Sequence, residues 1–129
     1  MTQIKKTQVV DFNISTFDLG WFVGILEGEG SISCRYNKKS GYLCAELTVS
    51  STDEDVIDRL HKIYPGKSKY VKQYKNHFKT QYVWAVTNRQ GIRSVIAKIE
   101  DHLSIRRYAQ VCEVLAEFDN YENKKTLRQ

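Results

Sequence analysis

The stretch Phe17-Asp-Leu-Gly-Trp-Phe-Val-Gly-Ile-Leu-Glu-Gly-Glu-Gly30 combines an apolar run, glycines four apart and a pair of carboxylates set in glycine. Ser15-x-x-Asp18 has the form of a capping box with aspartate at its far end, which predicts a helix over Phe17 to Gly28. Phe17, Leu19, Trp21, Phe22, Val23, Ile25 and Leu26 point in nearly all directions from such a helix, so it is predicted to be buried all round rather than amphipathic. Gly20, Gly24 and Gly28 fall on one face. An interior glycine costs about 1 kcal/mol relative to alanine, and close approach of another helix is the natural reason for three of them. Two partners are open: another helix of this chain, or the same helix of a second copy packed about a twofold axis.

Glu27 and Glu29 stand at or just past the C-terminal end of this helix, where the dipole disfavours negative charge. Either both carboxylates are simply solvated, or a hard divalent cation such as magnesium takes carboxylate and carbonyl oxygen there. Twofold packing would bring two copies of Glu29 together, and paired carboxylates holding divalent ions are the parts that metal-assisted phosphodiester hydrolysis requires.

Working outward, Ser31 to Tyr36 and Tyr42 to Ser50 flank the polar turn Asn37-Lys-Lys-Ser-Gly41 and are predicted to form a hairpin. In its second arm Leu43, Ala45, Leu47 and Val49 face one side, and Tyr42, Cys44, Glu46 and Thr48 the other. Ser51-Thr-Asp-Glu-Asp55 caps a second helix, Val56 to Tyr64, which Pro65-Gly66 stops. A second pair of strands, Lys67 to Tyr74 and Gln81 to Asn88, surrounds the turn Lys75-Asn-His-Phe-Lys79, with Tyr82, Trp84 and Val86 on the inner face. Helices follow over roughly Gln90 to His102 and Ile105 to Phe118. The remainder, residues 119–129, reads as a polar, frayed tail after a core of 16–118, with 1–15 as an N-terminal extension. The order predicts a single α+β domain: an antiparallel four-stranded sheet with helices on one face and the other face open.

At 129 residues, 41% hydrophobic and 27% charged, the chain fits one globular domain. A net charge of +5 is consistent with an anionic partner without singling one out. Cys34, Cys44 and Cys112 are odd in number, lack metal spacing and read as reduced thiols. With no run near eighteen apolar residues, no membrane partner is expected, and the predicted setting is intracellular. His61, His77 and His102 share no spacing that points to catalysis.

Phe22-Val-Gly-Ile-Leu-Glu-Gly-Glu-Gly30 resembles the LAGLIDADG motif, and the order of elements over roughly residues 16 to 118 is similar to a single-motif LAGLIDADG homing endonuclease. The resemblance implies a homodimer with a saddle-shaped sheet on a long pseudo-palindromic DNA site, cut on both strands to leave 3′ overhangs. It places Gly20, Trp21, Gly24, Ile25, Glu27 and Gly28 at the dimer seam. Glu29 takes the position of the metal-binding catalytic carboxylate, with the carbonyl of Gly28 as a further ligand, and Glu27 takes the inner acidic position, usually structural at the end of the motif helix. Aspartate is commoner than glutamate at both acidic positions. Mg²⁺ is the implied cofactor, with Mn²⁺ substituting and Ca²⁺ supporting binding without cleavage. Within Leu103-Ser-Ile-Arg-Arg107 the resemblance implies a basic residue near the scissile phosphates, taken as Arg106 with Arg107 as the other choice. A polar residue that orders water maps near Ser50, Ser51 or Thr52, with Ser51 taken as the site residue.

The predicted DNA surface follows from strand alternation. Residues 67–79 hold five lysines and no acid, interleaved with tyrosines, which reads as a phosphate-contacting ribbon that includes Lys69, with a solubilising edge strand as the alternative. Ser33, Arg35, Asn37, Tyr42, Glu46, Thr48, Lys72, Tyr74, Gln81 and Val83 are expected toward the major groove. Glu46 either accepts from a base or orients Arg35. The competing class is a binding protein on the same scaffold, either an RNA-splicing maturase, whose partner is RNA, or a DNA-binding regulator.

Overall fold

The computed structural model describes residues 9–72 and 79–127, with backbone alone for 68–72 and 125–127. Helix α1 runs Thr16–Glu29, and the Ser15 hydroxyl accepts the N–H of Asp18 at 3.1 Å, as the capping signal requires. Strand β1, Gly30–Asn37, begins at the very next residue. That junction has no loop, and a Cβ on Gly30 would lie 2.5 Å from the Leu26 carbonyl oxygen, so only glycine lets the strand leave the helix this tightly.

Strand β2 is Tyr42–Ser51, and the turn before it is set by Asn37, whose side-chain oxygen accepts the N–H groups of Lys39 at 2.9 Å and Ser40 at 3.2 Å. Gly41 closes the turn in the left-handed region at φ 76°. Helix α2 spans Glu54–Ile63 and β3 Lys67–Lys72. Strand β4 is Gln81–Val86, and α3 is Arg89–Ile99, followed by a 3₁₀ turn over Glu100–His102. Strand β4 stops two residues short of the predicted Asn88 because Asn88 is the cap of α3, accepting the Gly91 N–H at 2.6 Å.

All neighbouring strands are antiparallel, in the order β1-β2-β4-β3. Gly30 pairs with Val49 and Asn37 with Tyr42, so the predicted alternation of β2 is the observed one: Ala45, Leu47 and Val49 are buried, whereas Tyr42, Cys44 and Glu46 are exposed. The buried side chains meet Phe22 and Leu26 of α1, Ile57 and Leu60 of α2, Trp84 and Val86 of β4, and Ile92, Val95 and Ile96 of α3 in one core. Trp84 is almost wholly buried, and its indole N–H donates to the Tyr64 carbonyl at 2.9 Å, satisfying its polar atom. No helix among the described residues is long and apolar enough to cross a membrane.

Two sequence expectations fail in instructive ways. Helix α1 is not buried all round: Phe22 is 0% and Leu26 4% exposed, but Phe17 is 80% exposed, and Gly20, Gly24 and Gly28 are exposed. The polar tail is not frayed, because α4 spans Ile105–Leu127. Glu122 is fully buried there, with its carboxylate 2.6 Å from Arg89 and 3.3 Å from Arg93, and Arg89 lies 4.8 Å over the Tyr121 ring. Polarity in this segment serves a packed ion-pair cluster against α3 rather than solvation.

Candidate functional site

The site gathers where the end of α1, the start of β1, the end of β2 and the start of α4 meet. Glu29, the last residue of α1, is exposed. Because Gly30 pairs with Val49, Ser50 and Ser51 lie at the same end of the β1–β2 ladder as Glu29. The Ser51 hydroxyl accepts the Asp53 N–H at 3.0 Å, which shapes the entry to α2 and leaves its proton available to donate.

Glu27 reaches across to α4. Its carboxylate accepts both the backbone N–H of Ser104 and the Ser104 hydroxyl, the latter at 3.0 Å. In the opposite direction, Arg107 Nε donates to the Glu27 backbone carbonyl at 3.1 Å, and its terminal nitrogen donates to the Gln110 side chain at 3.2 Å. Of the two arginines in this turn, Arg107 is half-buried and tethered one residue from Gly28, whereas Arg106 is exposed. Glu27, expected at a dimer seam, therefore has its carboxylate engaged within its own chain.

The glycine face lies open. Among the described residues, a Cβ placed on Gly20, Gly24 or Gly28 would meet nothing within 4 Å, so no described helix crosses there. Phe17 and Trp21 share that face by helical position, with Trp21 half-buried beneath Arg59: the guanidinium lies 4.1 Å from the Trp21 ring centre and 5.6 Å from that of Phe17. Arg59 also bonds Asp18 at 3.1 Å.

On the outer face of the sheet, Ser33, Arg35, Asn37, Tyr42 and Glu46 are exposed, with Thr48 and Gln81 half-buried. Glu46 sits directly opposite Ser33, and Arg35 opposite Cys44. Asn37 has its oxygen committed to the hairpin turn and retains its amide N–H groups. Val83 corrects the prediction: it is 1% exposed, because β4 is an inner strand and a short side chain paired between Ser50 and Tyr70 is closed off from solvent. Lys69 and Lys72 are placed by the backbone of β3 alone, and Tyr74 lies outside the described residues. On the helix side of β1, partial burial pushes the Cys34 thiol above its ordinary range, with the charge of Glu117 adding to the effect.

Among the described residues no three His, Cys, Asp or Glu side chains cluster as a metal site. What one chain offers at this junction is the carboxylate of Glu29 and the carbonyl of Gly28. That donor set fits Mg²⁺, which keeps several waters and is commonly held through one or two carboxylates plus substrate phosphates.

A scan against protein-family models finds no match, and a search of curated proteins finds no relative. Solved structures do match. The homing endonuclease I-CvuI, in complex with its target in the presence of Ca, aligns over 84% of this chain and 70% of its own at TM-score 0.65 and 18% identity. The group I intron-encoded homing endonuclease I-CeuI, complexed with DNA, aligns over 89% and 60% at 0.63 and 20% identity. The LAGLIDADG meganuclease I-CpaMI, bound to uncleaved DNA, aligns over 81% of this chain and 37% of its own at 0.61 and 16% identity. The chain has the LAGLIDADG homing endonuclease fold.

Proposed function

We propose that this chain is a site-specific DNA endonuclease of the homing type that acts as a homodimer. The observation that carries the reading is the loop-free α1–β1 junction, which leaves the Glu29 carboxylate exposed two residues after the backbone carbonyl that Arg107 holds, on a helix whose glycine face no described residue covers. A second copy packed glycine face to glycine face brings two such junctions together at one axis. The exposed polar face of β1 and β2 carries donors and acceptors suited to base edges, and the lysines of 67–79 suit phosphates. Cutting both strands of a long pseudo-palindromic site to leave 3′ overhangs matches two equivalent junctions related by a twofold axis.

When bound by Glu29 and the Gly28 carbonyl, Mg²⁺ supplies Lewis-acid polarisation of a phosphate oxygen. Glu29 provides the fixed negative charge that holds such a cation in place. The guanidinium of Arg107 offsets charge that builds on the phosphate, a role its position favours over Arg106. The Ser51 hydroxyl, with Ser50 beside it, orients water at the same end of the ladder. Ser33, Arg35, Tyr42, Glu46 and Thr48 bind the groove, with Asn37 contributing only donors.

Selection for cleavage from a randomised DNA library with Mg²⁺, running wild type beside Glu29→Gln, tests the reading. Enrichment of one pseudo-palindromic site with staggered 3′ ends, absent from the variant, is the expected result. A folded wild type that recovers a bound sequence in Ca²⁺ yet never cuts in Mg²⁺ or Mn²⁺ would overturn it in favour of a binding-only protein, and splicing-linked RNA binding would identify a maturase.

A further inference from the structure

Helices α1 and α4 exchange charges at their meeting ends. Glu27 is an acid in the last turn of α1, and Arg107 a base in the first turn of α4, each the wrong sign for its own helix dipole. Each is the right sign for the other helix. The Glu27 carboxylate takes the backbone N–H and hydroxyl of Ser104, at the positive end of α4, and Arg107 donates to the Glu27 carbonyl, at the negative end of α1. Ser104 is the cap position of α4, since its own carbonyl accepts the Tyr108 N–H at 2.8 Å. A capping box would place an acid three residues later; here that residue is Arg107, and the acid arrives from another helix.

We propose that Glu27 is a positioning residue: its carboxylate latches the first turn of α4 to the end of α1, so that Arg107 and Glu29 address the same phosphate. Its catalytic consequence rests on the nuclease reading above; the latch itself does not. Gly28 and Glu29 follow Glu27 directly and Arg107 lies three residues beyond Ser104, so the latch fixes both groups through short, regular backbone. Without that carboxylate the Ser104 N–H and hydroxyl lose their acceptor, and the bond from Arg107 to the Glu27 backbone carbonyl is left to hold the first turn of α4 to the junction.

The experiment compares wild type, Glu27→Ala, Glu27→Gln and Ser104→Ala in two measurements: amide hydrogen exchange of the protein alone, and single-turnover cleavage against binding in Ca²⁺. In Glu27→Ala the amides of Ser104 to Tyr108 exchange faster while the amides of α3 do not change. Cleavage then falls about 100-fold, with affinity for the site changed less than about threefold, a split that points to misplacement rather than lost binding or unfolding. Glu27→Gln, which keeps an acceptor for Ser104 without the charge, recovers most of both losses, and Ser104→Ala falls between. Unchanged protection of Ser104 in Glu27→Ala overturns the latch whatever the cleavage result. Faster exchange with cleavage and binding lost in parallel, or with α3 exposed as well, overturns the positioning role in favour of general stability. A wild type that never cuts ends the catalytic claim with the nuclease reading, while Ser104 protection still decides the latch.

Discussion

The two sides of α1 carry similar residue types and meet different surroundings. On one, Phe22 and Leu26 are sealed against β2, β4 and α3. On the other, Phe17 is exposed and three glycines have no described residue against them. Apolar content alone predicts the same burial for both sides, so it cannot tell a core from a surface awaiting a partner. The glycines can. Gly30 is required by a contact inside the chain, since a Cβ there would strike the Leu26 carbonyl, whereas Gly20, Gly24 and Gly28 answer to no contact among the described residues.

The largest effect that would test this contrast is on the sealed side. Phe22 is 0% exposed and packs edge-on to Trp84 with ring centres 6.0 Å apart, so Phe22→Ala is expected to cost about 3–5 kcal/mol in urea unfolding. A loss under about 1 kcal/mol would mean that the sealed side is not the core. Next comes Gly30→Ala, which forces the helix–strand junction apart against a backbone carbonyl and should cost about 1–3 kcal/mol. Because the junction carries Glu29, the same variant is expected to lose DNA cleavage more than its stability loss accounts for, measured at a temperature where it stays folded.

Gly24→Ala sharpens the contrast from the open side. With nothing within 4 Å of the added methyl, the chain by itself should gain up to about 1 kcal/mol from helix propensity. Self-association should weaken at the same time, because the methyl holds two backbones apart. Sedimentation velocity over a concentration series, beside urea melts at low concentration, reads the two effects separately. Stability lost in the dilute chain would show that the face is covered internally after all.

Legibility in the sequence followed the range over which each signal acts. The caps at Ser15 and Asn88, the hairpin at Asn37 to Gly41 and the alternation of β2 are decided by neighbours within a few residues, and they could be read directly. The end of α1 at Glu29 was legible to within a residue, because glycine on both sides of that carboxylate disfavours further helix. The helical course of residues 119–127 was not, because the partners that donate to Glu122, Arg89 and Arg93, lie some thirty positions away. Val83 was misjudged for a similar reason: alternation gives its face, but only the sheet order shows it enclosed between two strands. The bond from Glu27 to Ser104 left one local trace, the arginine at the place where a capping box puts an acid.

The smallest effect lies at the boundary between the two sides, where Arg59 covers Trp21. Its guanidinium stacks on the indole and pairs with Asp18, but the Arg59 and Asp18 side chains are 36% and 41% exposed, so water competes for both interactions. Arg59→Gln should therefore cost only about 0.5–1 kcal/mol in urea unfolding of the dilute chain. Trp84 is buried elsewhere, so a change in the solvent-exposed fraction of tryptophan fluorescence, read by iodide quenching, reports on Trp21. Removing the cation bares one side of the indole on the same face as the glycines, and quenching should rise in the dilute chain. At concentrations where the wild type self-associates, a second copy seated on the glycine face shields Trp21 and the difference between the two proteins narrows. If quenching differs equally at low and high concentration, Trp21 lies outside the seam, and the contact between copies is confined to the glycines below it.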